Sequence, residues 1–132
     1  NPLFLTSLFL MLFCWEIGGQ NIPNDWSDIA EDRYFGAKTI PVYFGVDVAL
    51  ALIIVALIFS AGFGFLLLYV SPFESNWWIR LGFLVICGFL LLFPAWRLYA
   101  DKTPQCAIAL FNKACYFPSS ILALVVVAIA AR

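Results

Sequence analysis

"VALALIIVALIFSAGFGFLLLYV", residues 48–70, runs for 23 residues without a charged side chain. At about 1.5 Å per residue, a helix of that length is roughly 35 Å long. The hydrocarbon core of a bilayer is about 30 Å thick. The stretch is too long for a barrel strand and does not alternate apolar with polar residues. It predicts a membrane-spanning helix. Residues 77–99 predict another, interrupted only by Arg80 near one end and Arg97 near the other, with Trp77, Trp78 and Tyr99 where interfacial aromatics belong. Residues 2–15 and 116–131 are shorter apolar segments, the latter with Pro118 at its start, where a helix tolerates proline. Between them, 105–117 is moderately apolar, contains Lys113 and reads as a half-buried helix leading into the last span.

Composition supports the same class. The chain has 132 residues, is 64% hydrophobic and only 11% charged, against roughly 25% charged residues in soluble domains. Its mean hydropathy is +0.99. The expectation is an all-α integral membrane protein, a bundle of transmembrane helices in contact with lipid. A formal net charge of −1 leaves no basic surface for nucleic acid. The four cysteines, Cys14, Cys87, Cys106 and Cys115, have no zinc spacing and no histidine to join them, and read as small apolar filler. Residue 1 is Asn, and the first apolar segment has neither a basic lead nor a small-residue cleavage site. The chain is therefore expected to start inside a helix, as the C-terminal part of something longer.

With four spans, Arg33, Lys38, Arg97, Lys102 and Lys113 fall on one side, and Arg80 and Arg132 on the other. Five against two makes the first side cytoplasmic, or the inner side of an organelle membrane.

That side carries the acid. Residues 16–47 form the longest polar stretch and hold Asp25, Asp28 and Asp32, followed by Arg33 and, past Gly36, Lys38. If 24–35 is one helix, the three aspartates fall within about 60° of arc, with Asn21 beside them, while Glu31 points elsewhere. Gly36 is a natural stop. Stacked carboxylates repel one another. A divalent cation removes the conflict, and Mg²⁺ is usually held by one or two carboxylates together with phosphate oxygens. Arg33 and Lys38 add positive charge for the same anion. The competing reading is a solvated loop with an acidic triplet at helical spacing by chance. Asp47 reads as a helix cap; Glu74 and Asp101 read as ordinary loop acids.

The stretch "EIGGQNIPNDWSDIAEDRYFGAKTIPVYFG", residues 16–45, resembles the second aspartate-rich motif of the UbiA-type intramembrane prenyltransferases. Asp25, Asp28 and Asp32 match D-x-x-D-x-x-x-D. Gly36, Lys38, Thr39, Ile40, Pro41, Val42 and Gly45 match the trailing G-x-K-T-[IL]-P-[VI]-x-x-G. Three helical segments follow, as in the family, and the family's first motif, N-D-x-x-D-x-x-x-D, has no separate copy here. The resemblance implies the C-terminal half of a nine-helix bundle around a central cavity. It implies transfer of a polyprenyl group from its diphosphate to an acceptor, commonly an aromatic ring of the quinone-precursor type such as 4-hydroxybenzoate. It implies Mg²⁺ held by Asp25, Asp28 and Asp32, and an inactive isolated half.

On this reading Asp25, Asp28, Asp32 and Lys38 are the catalytic candidates, and Asn21, Asn24, Arg33 and Lys38 the substrate-binding ones. Ionising an allylic diphosphate in hydrocarbon requires the leaving anion to be neutralised, and the bound cation does this as a Lewis acid. Trp26, Tyr34, Tyr43 and Phe44 are candidates for cation–π contact with the carbocation, or plain membrane aromatics. Glu16, Gln20 and Asn21 are candidates to orient the acceptor or the metal, or a polar helix end. Asn112 and Lys113 stand at the mouth on the same side, with snorkelling the simpler reading of Lys113. A CDP-alcohol phosphotransferase is excluded because Ile29 follows Asp28 where glycine is required. A transporter with an acidic cation entrance predicts ionisable residues within the spans, and 48–70 and 116–131 have none. A structural membrane subunit is the remaining alternative.

Overall fold

The structure, a computed structural model, describes residues 1–73 and 76–131 and is helical throughout, with no strand among them. Glu74 and Arg132, a loop acid and one of the two far-side basic residues in the sequence reading, lie outside the described residues.

Four stretches are long and apolar enough to cross a membrane: Pro2–Ser27, Val46–Tyr69, Trp77–Asp101 and Pro104–Ala130. The first is α1 (Pro2–Trp15), a π-helical turn (Glu16–Asn21) and α2 (Ile22–Ser27). Two short helices follow, α3 (Ile29–Phe35) and α4 (Ile40–Phe44). The second span is α5 (Val46–Tyr69). The third is α6 (Trp77–Cys87), a second π-helical turn (Gly88–Leu92) and α7 (Phe93–Asp101). The fourth is α8 (Pro104–Ala114) followed by α9 (Phe117–Ala130).

The first helix therefore runs well past residue 15, into what the sequence reads as loop. Proline explains how. Pro23 lacks an N–H, and its ring would press on the carbonyl four residues back in a regular helix. The turn before it widens instead, and Ile22 N–H bonds to Ile17 O, five residues back. Pro94 repeats the device, with Phe93 N–H bonding to Gly88 O. In both places the helix crosses its proline without breaking. The lead-in and the last segment likewise form one helical stretch, with Pro118 in the first turn of α9.

Packing uses small residues, as membrane helices must when apolar contact with lipid offers no contrast. α1 lies along α5, α2 against α8, α7 against α8 and α6 against α9. At Gly18 a Cβ would fall 2.9 Å from both Ile53 O and the Ala56 Cβ, so the backbones of the first and second spans nearly touch there. Gly19 approaches Ala114 in the same way. Polar side chains tie the spans together: Trp15 Nε1 donates to Ala114 O at 2.8 Å, Gln20 Nε2 to Phe111 O at 3.1 Å, and buried Ser60 Oγ to Met11 O at 2.8 Å. Met11, Trp26, Ile53, Leu57, Phe83, Leu98, Leu110 and Phe117 fill the interior. Val55, Ile58, Leu84, Val85, Val126 and Val127 are exposed, as lipid-facing side chains are.

The Ser60 bond is testable. Ser60→Ala removes an inter-span hydrogen bond of a kind worth about 0.6 to 2 kcal/mol. A drop in unfolding free energy of that size, measured by denaturation in detergent, is the expected outcome.

Candidate functional site

The acidic stretch sits where the first span ends. Its aspartates do not lie on one continuous helix. Ser27 Oγ donates to Asn24 O at 2.7 Å, a back-bond that bends helices, and the backbone turns at Asp28 (φ −104°, ψ 14°). Asp25 thus belongs to α2, Asp28 to the corner and Asp32 to α3, whose first turn starts with Asp32 N–H bonding to Asp28 O at 2.8 Å. The flat carboxylate wall expected for an unbroken helix 24–35 is folded at its middle residue.

At this corner Asp25 lies within the field of the other two acids. Asp25 is partly desolvated and feels the charge of Asp32 first and that of Asp28 second. Asp28 is exposed, and Asp25 and Asp32 are half-buried. Among the described residues none of the three has a cationic partner; the ion pair present there joins Lys102 to Asp47 at 3.0 Å, between the end of α7 and the start of α5. Asp47 is therefore an ion-pair residue and caps nothing, since Gly45 occupies the N-cap of α5.

Two glycines shape the rest. Gly36 (φ 71°) ends α3, with Ala37 N–H bonded to Asp32 O at 2.8 Å. Gly45 (φ 91°) turns the chain from α4 into α5. Both take backbone angles that glycine adopts freely. Between them Lys38 is exposed, Pro41 is buried and α4 packs on α2, α3 and α5. Thr39 Oγ1 is buried without a hydrogen-bond partner. Arg33, Asn21 and Asn24 are exposed. The polar candidates thus lie along the chain from the end of the first span to the linker before α4.

Other expectations separate from this cluster. Trp26 is 1% exposed and belongs to the core, so it cannot face a substrate. Tyr34 stands edge-on to Phe35, and Tyr43 to Phe44, all exposed beside the cluster. Gln20 is committed to the fourth span through Phe111 O and accepts from Cys115 Sγ at 3.2 Å. Lys113 does not join the acids: its Nζ lies over the rings of Phe89 (4.8 Å) and Phe93 (5.3 Å). The pattern F-x-x-x-F-P, one turn apart at 89 and 93, was the available signal for that contact.

A model of the UbiA prenyltransferase family matches residues 1–130. The chain belongs to that family. Comparison with curated proteins and with solved structures gives no match. UbiA membership agrees with an all-helical chain carrying four membrane-length helices, and makes it an integral membrane protein of a prenyltransferase family.

The family implies Mg²⁺, and the residues present can be tested for it. No three Asp, Glu or Cys side chains among the described residues are gathered closely enough to hold one ion by themselves. An all-protein cage is not what Mg²⁺ asks for: one or two carboxylates and a phosphate-bearing substrate suffice. Asp25, Asp28 and Asp32 are hard oxygen donors without a cationic partner among the described residues, and Asp25 feels the charge of the other two. That donor set fits Mg²⁺ shared with a diphosphate.

Proposed function

We propose that the α2–α3 corner grips the diphosphate of a polyprenyl donor, and that the prenyl group passes to an acceptor with an aromatic ring, of the quinone-precursor type such as 4-hydroxybenzoate. The observation that carries this reading is the set Asp25, Asp28 and Asp32, without a cationic partner among the described residues, at the end of a membrane-length helix in a chain of the UbiA family.

Asp25, Asp28 and Asp32 would hold Mg²⁺, which when bound supplies Lewis-acid neutralisation of the leaving diphosphate. Lys38 and Arg33, both exposed beside the corner, place donors for charge-assisted hydrogen bonds to diphosphate oxygens. Asn21 and Asn24 offer neutral amides on the same exposed surface. Positive charge at 33 and 38 favours departure of the anion; the apolar span walls favour an environment that keeps water from the carbocation. This end faces the cytoplasm, or the equivalent inner compartment, on the distribution of Lys and Arg. A cation channel or a purely structural subunit gives no reason for Lys38 and Arg33 to follow the acids directly.

The test uses membranes containing the natural protein, prenyl diphosphates of several lengths and a panel of aromatic acceptors. Transfer should stop when EDTA is added and return with Mg²⁺. Turnover that persists in excess EDTA refutes the metal assignment.

A further inference from the structure

Glu16 is an ionisable residue within the first membrane-length helix, in the first turn of its π-helical segment. Its side chain is exposed and has no hydrogen-bond or ion-pair partner among the described residues. A carboxylate at such depth is costly, and such residues face cavities or ligands and not lipid. It stands nine residues before Asp25, roughly 14 Å along the axis at 1.5 Å per residue. That separation is on the order of a diphosphate plus one aromatic ring. Glu16 also lines an open groove of about 480 Å³ together with Phe9, Leu12, Phe13, Trp15 and Pro118. Phe9, Phe13 and Glu16 before the widened turn and Asn24 and Asp28 after it are all exposed.

We propose that Glu16 is the acceptor-binding carboxylate: it accepts a hydrogen bond from a hydroxyl of the aromatic acceptor, whose ring lies on Phe9 and Phe13. The inference rests on the prenyl-transfer reading above. Charge complementarity selects the occupant. A carboxylate takes a hydroxyl or other donor and repels the diphosphate, which leaves the anionic donor to the cationic end at Lys38 and Arg33. The hydrogen bond raises electron density on the ring and fixes which carbon meets the prenyl group. In the step itself the C–O bond breaks with its electron pair leaving on diphosphate, a C–C bond to the ring forms, and the ring proton passes to the departed diphosphate. Glu16 holds the hydroxyl throughout and is not oxidised, reduced or alkylated.

The experiment measures steady-state kinetics of the natural protein in membranes with geranyl diphosphate as donor. The acceptors are 4-hydroxybenzoate and 1,4-dihydroxy-2-naphthoate. Glu16→Gln should raise the acceptor KM tenfold or more and leave the donor KM within twofold, with Glu16→Asp recovering part of the loss. Asp28→Asn, run in parallel, should abolish turnover of both. An acceptor KM within twofold of the parent in Glu16→Gln overturns the inference and leaves the diphosphate reading standing. Equal rises in both KM values with a lowered melting temperature also overturn it, and mark Glu16 as a helix-packing residue. No turnover of either acceptor by the parent overturns the hydroxyaromatic assignment. Normal turnover in Asp28→Asn sinks the underlying reading.

Discussion

Asp28→Ala and Asp32→Ala, each made in the natural protein, are expected to cut prenyl transfer by at least 10²–10³-fold, on the order of what loss of one preorganised charge-stabilising group costs an enzyme. Asp28 sits at the corner itself and Asp32 in the first turn of α3. Neither supports the fold through its side chain: Asp28 is exposed, touching only Ser27 Oγ at 3.5 Å, and the hydrogen bonds that shape the corner run through backbone atoms. The variants should therefore reach the membrane in normal amount and melt at the parent temperature. Removing a like charge relieves repulsion at Asp25, so stability should hold or rise slightly. Near-normal turnover in either variant would mean that the corner does not carry the leaving group. Lost activity together with lost protein would mean that the acids are structural.

The second large effect is expected away from the acids. Gly18→Val places carbon where Ile53 O and the Ala56 Cβ lie 2.9 Å from the position of a Cβ, with Leu57 Cγ at 3.1 Å. Ile53 O is backbone, so no rotamer change relieves the clash, and the two spans must separate. Overpacking of this kind costs about 1–3 kcal/mol, and here the upper end is expected, because the Trp15–Ala114 and Ser60–Met11 bonds lie close along the same helix. Gly62→Val is the control. Nothing stands within 4 Å of its Cβ position, and valine has the better helix propensity, so its melting temperature should match or exceed the parent's. Equal melting temperatures for the two variants would show that the first and second spans do not approach as closely as described.

How much of this was legible in the residues differs by region. Residues 48–70 and 77–99 announce themselves, because length and apolarity alone decide a span, and the helices Val46–Tyr69 and Trp77–Asp101 agree with them. Residues 16–27 do not. Two glycines, a proline and six polar side chains read as loop, yet Gly18 and Gly19 are buried against neighbouring spans and the widened turn absorbs Pro23. A one-dimensional reading sees small and polar residues as breakers; only the presence of α5 and α8 makes them contacts. The corner at Asp28 was hidden for the opposite reason. No glycine or proline marks it, and a single hydroxyl–carbonyl bond from Ser27 decides the bend. The identities of the candidate residues came from the motif, and the fold distributes the acids over α2, the turn at Asp28 and α3. Trp26 shows the limit, since Asp25 and Ser27 beside it are half-buried while it points into the core.

The widened turn at Glu16–Asn21 has a consequence for how this helix tolerates length changes. A π-turn is a regular helix with one spare residue, so it slips the angular phase of everything after it by roughly 100°. Asn24 and Asp25 point where they do because of that slip. A natural deletion of one residue within 16–21 would be absorbed by reverting the turn to ordinary pitch, keeping both flanks in phase, provided that Pro23 were lost with it. The same deletion inside Val46–Tyr69 has no slack to draw on and would swing half of that helix's packing face into lipid.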